Sequence, residues 1–252
     1  MLGVQLLVRT KRSVRLTDAG RTLLDEAPPA LENVEECLVR TRRVGRGELG
    51  EISVAFLPSV TGVLIPQLVT AFRTAHPDVH LQLREMLDDP LLTAMLSGRV
   101  DVGILRSHTD AEGISFERLL DDPVHVVLPL RHPLAARKRL AYRDLRNEPF
   151  VLWPRSQSRE GYDAVIDGCR DAGFTARVAQ ECAHPYTTLG LVAAGAGVSV
   201  LSGLFRGFRS DVAFVPLACP RGTIYLAWRS DSPAPARDAF VDLVREVGAG
   251  LG

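Results

Sequence analysis

Two rhythms of apolar and polar positions run along the chain, and the change between them divides it. Residues 9–16 (RTKRSVRL) are basic, with Val14 and Leu16 two positions apart, the period of a short strand or wing. Thr17 is a good N-cap, and Asp18 follows in the first turn, where the helix dipole favours an acid. The helix predicted from there to about residue 44 carries Leu24, Ala27, Leu31, Val34 and Leu38. Spacings of three and four describe a coiled-coil seam between charged flanks. A single helix cannot bury such a seam, so a partner helix is expected. Pro28-Pro29 removes two amide donors and is expected to kink or interrupt the helix.

Beyond the glycine-rich segment GRGELG (45–50), strands alternate with helices. Residues 52–56 predict a strand, and 61–75 a helix that buries Leu64, Leu68, Val69 and Phe72. Residues 79–85 alternate strictly, with Val79, Leu81 and Leu83 on one face. A helix holding Leu91, Leu92, Met95 and Leu96 ends at Gly98, and 100–105 is a buried strand. This βαβαβ order implies a parallel sheet with right-handed crossovers. A β-branched strand (123–130) and a polar looped segment (131–140) follow, with a short helix near 142–146. A second unit then reads strand (150–153), helix (160–172), strand (176–181), helix (187–194), strand (197–201). Late strands at 212–217 and 223–228 precede a closing helix at 234–247. Roughly ten strands are too many for one ordinary open sheet, so two α/β lobes are predicted.

Composition narrows the class. Of 252 residues, 46% are hydrophobic and 24% charged, with 30 bases against 30 acids, which excludes global disorder and a wholly basic nucleic-acid coat. The neutral sum hides segregation: residues 1–21 hold five bases and one acid, a balance of +4, and the remainder holds −4. Cys37, Cys169, Cys182 and Cys219 are widely spaced, so they read as free thiols in a reducing cytosol rather than as a zinc or redox motif. No apolar run is long enough to span a membrane, and the N-terminus has the reverse of signal-peptide order, so a cytoplasmic protein is expected.

Catalytic chemistry finds no constellation. GVSVLSG lacks the order of a nucleophile elbow. Pro77 stands between His76 and His80, so they cannot share a helical face as metal ligands. GRGELG matches a dinucleotide fingerprint in letters, but a helix precedes it and a strand follows, the reverse of the required order. Asp88-Asp89 and Asp121-Asp122 each precede a proline at an element boundary, where turns and caps are the ordinary role. No enzyme, cofactor or metal site is expected.

Binding signals are better. Ser59, Val60 and Thr61 join the first strand of the first lobe to its first helix, where hydroxyls and free amides either cap the helix or hold an anion. Arg106 ends the third strand at the carboxyl edge, where open α/β sheets bind ligands. Trp153, Pro154 and Ser156 end the first strand of the second lobe in an equivalent place, and Thr188 opens another helix. Four such loops, two per lobe, can converge on one cleft.

These residues, in this order, resemble a family. LGVQLLVRTKRSVRLTDAGRTLLDEA is similar to the end of the DNA-binding region of LysR-type transcriptional regulators. The resemblance continues through Ile65-Pro66, Phe72-Arg73, His76-Pro77, the run from Gly98 to Ile104, His132-Pro133-Leu134-Ala135 and the run from Gly190 to Val198, and so covers essentially the whole chain. The effector half is most similar to regulators of aromatic-compound catabolism. The resemblance implies a remnant of a winged helix-turn-helix (1–16), a linker helix that pairs between subunits (17–47), and an α/β effector domain (48–252) folded like a type 2 periplasmic binding protein. Lobe I would comprise 51–122 and 223–252, and lobe II 123–222, with crossovers near 123–127 and 217–223. The implied partners are a small effector, an organic acid in this subgroup, double-stranded DNA where the rest of the DNA-binding region is present, and further copies of the chain.

By position, the resemblance carries an effector role onto Ser59, Val60, Thr61, Asp88, Arg106, Trp153, Pro154, Ser156, Tyr162 and Thr188. Asp88 stands where the subgroup has threonine, so it would repel an anion unless protonated or paired with Arg106. Arg9, Lys11, Arg12 and Arg15 of the wing are expected to touch DNA phosphates. Family members begin with a recognition helix that this sequence lacks in whole or part, so sequence-specific DNA binding by this chain is expected to be weak. A stand-alone binding module is the alternative; the seam argues against a transport version. Arg106→Ala is expected to weaken effector response more than folding.

Overall fold

A computed structural model describes residues 2–9 and 13–250. Strands β1 (Leu7–Arg9) and β2 (Val14–Leu16) pair antiparallel as a short hairpin. Arg9 and Arg15 are exposed on it. Lys11 and Arg12 lie outside the described residues. Helix α1 (Asp18–Gly45) follows, with Thr17 capping it by accepting from the Gly20 amide at 2.9 Å. A Cβ on Gly20 would stand 2.1 Å from the Leu6 carbonyl oxygen, so only glycine lets the segment before the hairpin lie against the helix start.

Helix α1 runs unbroken through Pro28 and Pro29, contrary to the expected interruption. Adjacent prolines cost two neighbouring amide donors, which the 28-residue ladder on either side outlasts. Leu24, Leu31, Val34 and Leu38 are all more than half exposed along it.

The remaining chain builds two α/β layers. In lobe I, β3 (Gly50–Phe56), β4 (Val79–Glu85), β5 (Val102–Leu105), β6 (Ile114–Asp122) and β12 (Gly222–Arg229) form one sheet in the order β4-β3-β5-β12-β6. The pairs β3–β4 and β3–β5 are parallel, whereas β12 is antiparallel to both β5 and β6. Helices α2 (Ile65–Ala75), α3 (Asp88–Leu96) and α6 (Pro235–Ala249) cover it. Leu68, Phe72, Phe240 and Val244 pack with Ile52, Val54 and Ile104 in one core, while Leu91 and Met95 pack with Ala55, Leu105 and Ala227. Helix α2 starts later than its apolar pattern implied. Residues 58–60 form a 3-10 turn, and Pro66 sits in the first turn of α2, where its missing amide is harmless.

Lobe II holds β7 (Val124–Pro129), β8 (Pro149–Leu152), β9 (Arg177–Glu181), β10 (Ser199–Ser202) and β11 (Val212–Pro216). Strand β7 is flanked antiparallel by β10 and β11, and β8 pairs parallel with β9. The Val151 amide donates to Val198 and the Val198 amide to Pro149, both at 2.8 Å, joining the two groups. Helices α4 (Arg159–Asp171) and α5 (Pro185–Ala193) cover this sheet. The chain passes between lobes at Pro123, the single residue between β6 and β7, and returns through 217–221.

All four cysteines are free thiols. Burial pushes the Cys169 thiol up to about 11, which keeps it protonated and inert at neutral pH.

Candidate functional site

The carboxyl ends of the lobe I strands bring their polar residues to the lobe boundary, as an open α/β sheet dictates. Arg106 leaves β5 there, and two of its three side-chain nitrogens are engaged. Its Nε donates to Asp122 Oδ2 at 2.6 Å, and a terminal nitrogen donates to Ser59 Oγ at 2.9 Å. Asp122 is the last residue of β6, directly before the crossover, and its side chain is 4% exposed. Its other oxygen accepts from the Ser202 hydroxyl at the end of β10, in lobe II. Ser59, Arg106, Asp122 and Ser202 therefore form one hydrogen-bonded chain across the boundary. A carboxylate that deeply buried needs such partners, because an unpaired charge there is costly.

Asp88 is beside this chain but not in it. Its Oδ1 accepts from the backbone amides of Arg106 at 2.6 Å and Ser107 at 3.0 Å. The carboxylate thus fixes the end of β5 against the start of α3, and the expected pairing with the Arg106 guanidinium is replaced by Asp122. Two backbone amide donors thus hold the carboxylate in place. Asp122 departs in turn from the turn or cap role expected of it. It lies two residues from buried Leu120 on one strand face, an acid at an apolar period-2 position. That signal was readable in ISFERLLDD.

The lobes meet on both flanks. The Ser107 hydroxyl faces Glu160 Oε2 of lobe II at 3.4 Å. On the other flank, Gly62 admits the Phe208 ring, which a Cβ would approach to 2.5 Å, and Leu204 packs against the lobe I core. Between Leu87, Asp88, Asp89 and Ser107 of lobe I and Gln157, Ser158, Arg159 and Glu160 of lobe II lies a cavity of about 270 Å³. A larger, more open depression of about 380 Å³ is lined by His108 through Phe116 of lobe I alone. The smaller one is the better site, because it joins both lobes beside Arg106.

The expected effector residues divide accordingly. Ser59, Asp88 and Arg106 meet at the boundary. Thr61 donates to Glu85 at 3.2 Å and does not cap α2, so no hydroxyl-lined anion pocket forms at that helix start. Val60 is buried in the lobe I core. Trp153 packs against one lobe II core and Tyr162 against the other. Thr188 is buried and donates to the carbonyl of His184, the residue that precedes its helix. The Pro154 carbonyl accepts the Gln157 and Ser158 amides, while Ser156 is exposed on that turn. The turn so presents Gln157 and Ser158, rather than Ser156, to the cavity. Gln157, Ser158, Glu160 and Ser202 were not foreseen, since their role depends on how the lobes close.

His125 stands three residues past Asp122, buried on β7. Its Nε2 accepts from Arg206 at 2.7 Å and its Nδ1–H donates to the Pro123 carbonyl at 3.1 Å; the donor-only guanidinium fixes that tautomer. Burial, aided by the Arg206 charge, holds the imidazole below its ordinary pKa. Gly203 also donates its amide to the Pro123 carbonyl, at 2.6 Å. The carbonyl of the first crossover thus accepts from two donors, one of them held in turn by Arg206.

The chain is similar to known proteins in sequence and fold. The family of the LysR substrate binding domain matches residues 45–249. The HTH-type transcriptional regulator YnfL of Escherichia coli K12 is 32% identical over 219 residues, spanning 86% of this chain and 74% of its own. The Hca operon transcriptional activator HcaR, from the same organism, is 31% identical over 257 residues, spanning 97% and 83%. Full-length CbnR, solved with its target DNA, aligns with a TM-score of 0.75 at 28% identity over 98% of this chain and 85% of that one. The BenM effector binding domain, solved with its effector benzoate, aligns at 0.69 and 25% identity over 81% and 94%. With its two α/β lobes and its matched region, the chain belongs to the LysR family of transcriptional regulators.

Proposed function

We propose that this regulator senses a small effector between its lobes and transmits the change through α1 to DNA. The carrying observation is the boundary chain from Ser59 through Arg106 and Asp122 to Ser202, next to a cavity walled by both lobes. A ligand there touches lobe I and lobe II at once, so its affinity depends on their relative position. That is the condition for a ligand to shift a hinge equilibrium. The proposed contacts are Ser59, Asp88, Arg106, Ser107, Gln157, Ser158 and Glu160. The protein acts in the cytoplasm as a self-associating, non-enzymatic regulator, and its exposed wing residues Arg9 and Arg15 face DNA phosphates. Among the described residues no helix is long and apolar enough to cross a membrane.

The charge of the site sets a condition on the effector. Asp122 already occupies the Arg106 guanidinium, and Asp88, Asp89 and Glu160 outnumber Arg159 around the cavity. An organic acid must therefore compete with Asp122 for Arg106. That exchange would release the residue adjoining the crossover. BenM binds benzoate, so benzoate is a natural first probe. In a thermal-shift screen of small aromatic and aliphatic acids, at least one compound should raise the melting midpoint. Saturation near 100-fold above Kd corresponds to about 2.7 kcal/mol. A screen in which no acid moves the midpoint, at concentrations up to solubility, contradicts an acid effector.

A further inference from the structure

A loop of lobe II bears on lobe I, and one imidazole holds that loop. The 3-10 turn Gly203–Phe205 follows β10. Just beyond the crossover, Leu204 packs against the lobe I core and the Phe208 ring stands against Gly62. Arg206 lies between these two contacts and is itself exposed. Its side chain donates to Nε2 of His125 at 2.7 Å, and among the described residues it forms no ion pair. The turn is seated on the same ring: a Cβ at Gly203 would stand 2.6 Å from the imidazole Cε1. His125 is only 5% exposed and lies inside the central strand of its sheet, between Leu201 of β10 and Pro216 of β11. The anchor is therefore fixed, and the arm it holds is free to swing into water.

The bond between them exists in one protonation state only. A guanidinium donates and cannot accept, so it binds Nε2 only while that nitrogen keeps its lone pair. Nδ1–H is committed to the Pro123 carbonyl, so a second proton must enter at Nε2. That proton removes the acceptor and sets imidazolium against guanidinium. Among the described residues two charged groups act on the ring, Arg206 from the loop and Asp122 from the end of β6. From β11 the ring meets Phe214, which does not titrate. Asp122 favours the imidazolium, but its carboxylate is already held by Arg106 and Ser202. Burial, and then Arg206, oppose the second proton and prevail. We propose that His125 and Arg206 form a proton-sensitive latch on the lobe contact: the neutral imidazole holds the 203–208 loop against lobe I, and protonation expels Arg206 to solvent and frees the loop. The released ring has shed the guanidinium and gained access to water, so it takes up a proton more readily than the latched ring. Above the ordinary 6.5 the ring is neutral in both forms and the latch stays shut; as pH falls below it, the released form gains. The latch needs no effector, so it stands or falls apart from the reading of the cleft.

The test is hydrogen exchange of the full 252-residue chain without effector, read by mass spectrometry from milliseconds to minutes. Wild type, His125→Gln and Arg206→Gln are compared at the same pH, so the intrinsic exchange rate cancels between them. On going from about pH 7.5 to about pH 5.5, wild-type protection should fall by about threefold or more at residues 204–208 of lobe II. Residues 60–64 of lobe I should lose protection with them, while β3 and β5 in the lobe I core keep theirs. His125→Gln keeps an acceptor that does not titrate, and Arg206→Gln removes the cation from an exposed position. Both should abolish the acid-dependent loss, whatever their protection at pH 7.5. The unmoved core strands show that each variant is folded. An acid-dependent loss of the same size in wild type and His125→Gln overturns the proposal, as does wild-type protection that acid leaves unchanged at 204–208. Loosening confined to 204–208, with 60–64 unmoved, overturns the release of the lobe contact. Loss spread equally over both lobes overturns it too, by assigning the effect to acid unfolding of the whole chain.

Discussion

At the scale of single residues, the account turns on Asp122. It is buried, it ends the strand that leaves lobe I, and among the described residues Arg106 is its one ion-pair partner. Arg106→Ala is therefore expected to act on folding as well as on the effector. Leaving the carboxylate unpaired should cost about 3 kcal/mol, measured by urea denaturation at neutral pH. Arg106→Ala/Asp122→Asn should recover much of that loss. A single variant as stable as wild type would show that Asp122 finds another partner. His125 gives a second residue-scale prediction. Its folded pKa lies below the ordinary 6.5 through burial, so above 6.5 it is neutral in both states and contributes nothing to pH dependence. As pH falls below 6.5 the unfolded chain takes up the proton first, and stability drops. His125→Gln should flatten the stability profile between pH 7 and pH 5, since glutamine keeps an acceptor for Arg206 without titrating. An unchanged slope would place the acid sensitivity elsewhere. Ser59, Asp88 and Arg106 were legible because they end elements at a predictable sheet edge. Asp122 and Ser202 were not recognised, because their pairing joins residues 80 positions apart.

At the scale of elements, periodicity found the sheet strands and helices well, and proline caused the misreadings. Pro66 delays α2 until after a 3-10 turn, which the apolar pattern of Leu64, Leu68 and Phe72 does not reveal. Pro28-Pro29 leaves α1 continuous, because context outweighs local propensity when the helix extends far on both sides. The prolines still act against the helix. Replacing both by alanine should raise helical content and thermal stability, seen by far-ultraviolet circular dichroism, since each proline disfavours a helix interior by about 3 kcal/mol relative to alanine. A loss of stability would mean that the pair shapes α1 for a contact that straight helix cannot make. The seam itself was legible as a partner-seeking stripe, and its exposure in the single chain agrees with that reading.

At the scale of the whole molecule, two lobes joined by two crossovers follow one long helix. Asp122, the partner of Arg106, and His125, which bonds the Pro123 carbonyl, flank the first crossover. The lobe count was legible from strand number and the family from ordered motifs. The lining of the cleft was not, because Gln157, Ser158 and Glu160 face Asp88 and Ser107 only after the lobes dock. The central claim is that one small molecule touches both lobes. Isothermal calorimetry tests it directly, using an acid that raises the melting midpoint and comparing wild type with Ser107→Ala in lobe I and Gln157→Ala in lobe II. Both substitutions are on the cleft surface and leave the core intact. The account predicts that each weakens binding by about tenfold, the loss of roughly one good hydrogen bond. Affinity unchanged by both substitutions would contradict a ligand held between the lobes.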